Sequence, residues 1–111
     1  MAINVVSSQP DTFGFILCAT SADASGGEVI LAGVANKKIK VKHVTMTNNT
    51  AGALTFTLED EGTALIGPLE IGATTSLQFD FNPMMCLTTD KDLEITSDAG
   101  AVTIFVTGVQ E

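Results

Sequence analysis

Few side chains in this sequence are equipped for covalent or metal chemistry, and their types limit what they could do. His43 is the single histidine, Cys18 and Cys86 are the two cysteines, and Arg, Trp and Tyr are absent. A Ser-His-Asp or Cys-His arrangement would have to be built on His43. A metal site would draw on one imidazole and two widely separated thiols, and no Gly-rich loop ends in a phosphate-cradling Lys. The expectation is a protein without enzymatic activity or cofactor. Cys18 lies beside Phe15, Ile16 and Leu17, and Cys86 beside Met84, Met85 and Leu87, so both read as buried thiols. Pairing them needs a Cα separation within about 7 Å, which sequence spacing leaves open.

The charged residues are segregated. Four of the five lysines, Lys37, Lys38, Lys40 and Lys42, form one cluster, which leaves Lys91 alone among 13 Asp and Glu. Strand alternation places Lys38, Lys40 and Lys42 on one face with Ile39 and Val41 opposite, a ridge suited to an acidic protein surface. A solvated face or an edge strand protected by Lys accounts for the same pattern. Glu59-Asp60-Glu61-Gly62 clusters three carboxylates in a turn, where calcium is conceivable, but the ligands do not alternate as in a known calcium loop. An exposed acidic turn is the simpler reading. The net charge of -8 has the wrong sign for broad phosphate contacts, so nucleic acid is not an expected partner.

The elements that must position these groups are strands. With 111 residues, 45% of them hydrophobic and 16% charged, the chain suits one folded domain and not a disordered acidic tail. Short runs rich in Val, Ile, Thr and Phe are cut by turn residues at intervals of roughly 8 to 14, the signature of an all-β sandwich. Alternation is clearest in Leu54, Phe56 and Leu58, then in Leu77, Phe79 and Phe81, and in Leu93 and Ile95. Further strands are predicted over 13–20, 27–33, 38–47 and 101–109, with short pieces at 63–66, 69–71 and 84–88. About eight antiparallel strands suit a jelly-roll-like β-sandwich. The division is an N-terminal arm over 1–11, polar and ending near Pro10, and a single domain over 12–111. No run approaches the ~20 apolar residues needed to cross a bilayer, and Met1 to Pro10 lacks a signal-peptide pattern, so neither a membrane nor the usual export route is expected.

Two breaks in the alternation carry information. Apolar positions change parity from Ile39 and Val41 to Val44 and Met46, which predicts a one-residue bulge at Lys42 or His43. In 13–20 and 101–109 both faces are apolar, with Phe13, Phe15 and Leu17 against Ile16 and Cys18, and Val102, Ile104 and Val106 against Phe105 and Val109. A two-layer sandwich leaves its outer faces polar, so these strands predict packing between subunits through Phe13, Phe15, Ile16, Phe105 and Val109. A loop or arm of the same chain covering that face is the alternative.

Four spaced pieces resemble a family of small virion proteins of tailed bacteriophages that includes capsid decoration (head-stabilising) proteins. Asn36-Lys37-Lys38-Ile39-Lys40-Val41 resembles that family's Gly-Lys-Lys-Ile-Arg-Val strand start. Gly62-Thr63-Ala64-Leu65-Ile66-Gly67-Pro68-Leu69 resembles its Gly-x-Thr-x-Leu-x-Gly hairpin, and Phe79-Asp80-Phe81-Asn82-Pro83 its strand running into Phe-Asn-Pro. Leu93 to Ser97, a Gly-containing turn and Val102 to Val109 resemble its closing strands. The resemblance implies a jelly-roll-like homotrimer, made in the host cytoplasm, that sits on the capsid exterior and clamps neighbouring major capsid proteins. Capsid contacts would then fall to the lysine cluster and to Ile3, Val5 and Val6, whose segment could add a strand to a neighbour's sheet edge. Some relatives belong to head or tail fibres, so a receptor- or glycan-binding knob is the alternative function. Six Phe without Trp or Tyr offer it few sugar-stacking platforms.

Overall fold

A computed structural model describes residues 4–8, 14–22, 24–98 and 100–111. Among the described residues every regular element is a strand: β1 (Asn4–Ser8), β2 (Gly14–Ser21), β3 (Glu28–Leu31), β4 (Ile39–Asn48), β5 (Leu54–Asp60), β6 (Thr63–Ile71), β7 (Ser76–Cys86), β8 (Leu93–Ser97) and β9 (Val102–Gln110). They form a five-stranded sheet in the order β1-β2-β9-β4-β7 and a four-stranded sheet in the order β3-β8-β5-β6. All pairings are antiparallel.

The topology is that of a jelly roll. Within the sheets β2 pairs with β9, β3 with β8, β4 with β7 and β5 with β6. The chain from β2 onward is therefore one long hairpin, folded at its midpoint between β5 and β6 and rolled so that successive pairs enter alternate sheets. The midpoint is the Glu61-Gly62 turn, where both residues have positive φ, 42° and 92°. Two left-handed residues in succession match the right-handed twist of the flanking strands.

Alternation sends one face of each strand into the core. β2 contributes Phe15, Leu17 and Ala19, β4 contributes Ile39, Val41, Val44 and Met46, and β9 contributes Val102, Ile104 and Val106. They meet Leu54, Phe56 and Leu58 of β5, Ile71 of β6 and Leu93 and Ile95 of β8. The bulge predicted from the parity change is present: the register of β4 against both β7 and β9 shifts between Val41 and His43. Lys42 and His43 both turn outward as a result, and Val44 returns to the core.

Two expected breaks are absent. The pieces predicted at 63–66 and 69–71 are one strand, β6, and those at 76–81 and 84–88 are one strand, β7, despite Pro68 and Pro83. Each is an edge strand, and each proline falls where the pairing register shifts, Pro68 between Ile66 and Leu69 and Pro83 between Asp80 and Met85, so no ladder hydrogen bond is asked of it. Asn4–Ser8, placed by sequence in a departing arm, runs along β2 as the other edge of the five-stranded sheet.

Backbone crowding requires glycine at several positions, Gly108 and Gly67 among them. A Cβ on Gly108 of β9 would lie 2.0 Å from the Lys40 carbonyl oxygen and 3.1 Å from the Phe15 ring. Gly67, with φ of 101°, would place one 2.6 Å from the Phe56 carbonyl oxygen. The fully buried Asn48 closes the far end of β4, donating from Nδ2 to the carbonyls of Gly52 and Ile71 and accepting at Oδ1 from Thr50 N–H.

Candidate self-association face

The outer face of the five-stranded sheet collects most of the residues singled out above. Across it run four rows: Gly14, Val109, Lys40 and Cys86; Ile16, Thr107, His43 and Asp80; Cys18, Phe105, Thr45 and Gln78; Thr20, Thr103, Thr47 and Ser76. The last row is polar. The β2–β9 part of the others holds Ile16, Cys18, Phe105 and Val109 grouped around Thr107, with Ile16 43% and Phe105 36% exposed and Cys18 and Val109 half-buried. Adjacent large apolar side chains left in water on a sheet's outer face are a surface for burial against another body.

Phe15 does not belong to this face, contrary to the expectation that grouped it with Ile16. It is 6% exposed and packs inward, because strand alternation gives it the direction of Leu17 and Ala19. Phe13 and Ile3 lie outside the described residues, and Val5 and Val6 fall in β1. The expected three-lysine ridge is also altered. Lys37 and Lys38 precede β4, and Lys38 exchanges backbone hydrogen bonds with Glu111. Lys40 Nζ is 2.9 Å from Glu111 Oε1, whose hydrogen bond and charge raise the lysine pKa above its ordinary value. Among the described residues Lys42 makes no ion pair.

The cysteines correct a second expectation. Cys86 is exposed and Cys18 half-buried, and both are free thiols on this face. They stand on β7 and β2, three strand spacings or roughly 14 Å apart, too far for a bridge within one chain.

His43 is held on three sides. Its Nδ1 is 2.7 Å from Asp80 Oδ1, its Nε2 is 2.7 Å from Thr45 Oγ1, and Phe105 meets its ring edge-to-face at 6.0 Å. The order Thr-His-Asp is that of a hydrolytic triad, which sequence spacing did not reveal because Asp80 reaches His43 only through the β4–β7 pairing. The surroundings are unsuited to acyl transfer. Asp80 is 84% exposed, and Thr45 stands in mid-strand between Gln78 and Phe105, where backbone N–H groups serve the ladders and not an oxyanion. What the trio does is tie the bulged stretch of β4 to β7.

The acidic turn is likewise spent on structure. Asp60 Oδ2 accepts from Thr88 N–H and Oγ1–H, Glu61 pairs with Lys91 at 3.2 Å, and Glu59 accepts from Thr96 Oγ1–H. Among the described residues no three His, Cys, Asp or Glu side chains come together as a metal site. Glu94 faces Glu59 across the β5–β8 ladder, and its carboxyl pKa is raised by partial burial first and then by the charges of Glu59, Asp92 and Glu61. No helix among the described residues is long and apolar enough to cross a membrane.

No protein-family model matches the chain, and no curated protein matches it by sequence. Among solved structures it is similar to a chain of the Bacillus endospore appendages, described as disulfide-linked pili, at 15% identity and TM-score 0.49, covering 98% of this chain and 91% of that one. It is similar at 12% identity and TM-score 0.46 to the virus-like particle of the extra small virus of the prawn Macrobrachium rosenbergii, covering 95% and 84%. A Lactobacillus plantarum protein matches at 12% identity and TM-score 0.45, over 90% of this chain but only 38% of its own length. The jelly-roll assignment stands on the strand order above and takes nothing from these distant likenesses.

Proposed function

We propose that this chain is a non-enzymatic structural protein of a bacteriophage virion, a decoration or cement protein that binds the outer surface of the major capsid protein lattice as a homotrimer. The observation that carries the reading is the group of exposed Ile16 and Phe105 with half-buried Cys18 and Val109 on one sheet face, which further copies of the chain could cover symmetrically. The four spaced motifs give the reading its location on a capsid. A cement protein acts mechanically, adding buried interface across capsomers against the pressure of packaged DNA, and needs no catalytic group. The exposed Lys37, Lys38 and Lys42 suit the approach of a protein of charge -8 to an acidic lattice. The test is co-purification with capsids. Recovery near one trimer per local threefold position supports the proposal, and a chain absent from purified virions overturns it.

A further inference from the structure

The stretch of β7 that faces the β4 bulge forms a groove. One residue of β4, Lys42, stands between Val41 and His43, whereas four residues of β7, Phe81 to Met84, stand between their partners Asp80 and Met85. The surplus backbone swings out and leaves an open groove of about 630 Å³ lined by Lys42, Asp80, Phe81, Asn82, Pro83 and Met84. That volume is in the range of small-molecule sites.

The lining has a specific chemistry. Asp80 is oriented before any ligand arrives, because Oδ1 is bonded to His43 Nδ1 and His43 is in turn bonded to Thr45. Its Oδ2 makes no hydrogen bond among the described residues, and the side chain is 84% exposed. Lys42 brings an ammonium without an ion-pair partner among the described residues, and Asn82 brings an amide that both donates and accepts. Pro83 and Met84, the latter 38% exposed, make the apolar wall, while the Phe81 ring stacks on Phe79 at a centroid distance of 6.4 Å and packs against the core, anchoring the stretch from below. One cation and one anion leave the groove without net charge, so it offers no advantage to an ion of either sign. A hydroxyl, by contrast, can donate to the carboxylate and accept from the ammonium or amide. A ligand with neighbouring hydroxyls and an apolar C–H face satisfies both halves of the lining.

We propose that this groove binds a neutral pyranose sugar, with Asp80 accepting from adjacent hydroxyls, Lys42 and Asn82 donating to them, and Pro83 and Met84 against the ring's C–H face. The site is independent of the capsid reading and lies at the β4–β7 side of the sheet, with His43 between its Asp80 and Phe105. It is a shallow site, so binding is expected in the millimolar range, about 1–10 mM.

The experiment is a backbone amide NMR titration of the full chain with glucose, galactose, N-acetylglucosamine and mannose separately, each to about 50 mM, where saturation of a millimolar site is reached. A parallel titration uses an acetylated, amidated Glu-Asp-Glu-Gly peptide. The proposal expects saturable shifts for at least one sugar, confined to Lys42 and to 80–84. Asp80→Asn, at an exposed position that leaves the core untouched, should weaken binding at least tenfold, because a charged acceptor is lost. Met84→Ala, which keeps every polar group, should weaken it severalfold. Absence of saturable shifts with all four sugars overturns the proposal. So does binding of the peptide alone, which would make the groove a dock for acidic protein segments, and so does sugar binding unchanged in both variants.

Discussion

Replacing Phe105 by aspartate separates the two jobs that β9 performs. Val102, Ile104 and Val106 face the core and are untouched by the change, whereas Phe105 faces outward with 36% of its surface in water. A Phe side chain carries roughly 200 Å² of surface, so about 70 Å² remains to be covered by a second copy, worth about 2 kcal/mol per chain at 25 cal/mol per Å². Three chains in a trimer lose about 6 kcal/mol, or on the order of 10⁴ in the association constant, before the cost of placing an unpaired carboxylate in an apolar interface is added. The roughly two thirds of Phe105 already covered within the chain, about 130 Å², contributes about 3 kcal/mol to the fold by the same measure, so the variant chain is destabilised as well and its folding must be read separately from its assembly. Light scattering across a concentration series, with circular dichroism to follow folding, reads both effects. Wild type should have three chain masses at micromolar concentration, and Phe105→Asp should be a folded monomer. A wild-type monomer, or a variant that assembles at the same concentration as wild type, refutes the reasoning.

Glu94→Gln should stabilise the fold at neutral pH by about 0.2–1 kcal/mol, the size of one cross-strand pair, because it removes a partly buried charge that also opposes Glu59. Because the folded carboxyl pKa is raised above its ordinary 4.5, the wild-type destabilisation is present at neutral pH and fades as pH falls through the folded value toward 4.5. Urea unfolding at neutral and mildly acidic pH should therefore show a gap between variant and wild type that closes on acidification, and an unchanging gap counts against this cause. Gly108→Ala should cost about 2–4 kcal/mol, since its methyl meets the Lys40 carbonyl and two paired strands must part to admit it; a melting temperature equal to wild type is the contrary result. Joint replacement of Lys38, Lys40 and Lys42 by Gln should slow attachment to capsids and flatten its salt dependence, with roughly 0–1 kcal/mol per exposed pair at stake. Identical association rates at low and moderate salt return these lysines to a solvated strand face.

Sequence by itself determined what depends on local periodicity. Alternation at Leu54, Phe56 and Leu58, or at Leu93 and Ile95, dictates a strand and its buried face, because successive side chains point to opposite sides whatever the partner strand is. The parity change around Lys42 located the bulge for the same reason. Direction was legible only where one face was plainly polar. In β2 both faces are apolar, so Phe15 and Ile16 looked alike, and the layer on the far side of the sheet decided that Phe15 is core and Ile16 surface. Pro68 and Pro83 read as strand ends until the strand order placed β6 and β7 at sheet edges and the register put both prolines in bulged, unpaired stretches, where a missing N–H is not needed. Tertiary structure alone brought Asp80 to His43, Glu111 to Lys40 and Glu94 to Glu59. Each contact joins residues distant in sequence through a pairing set by the rolled hairpin as a whole, and no spacing along the chain encodes it. The groove at Phe81 to Met84 has the same origin, since it exists only as the mismatch in length between two strands that the fold lays side by side.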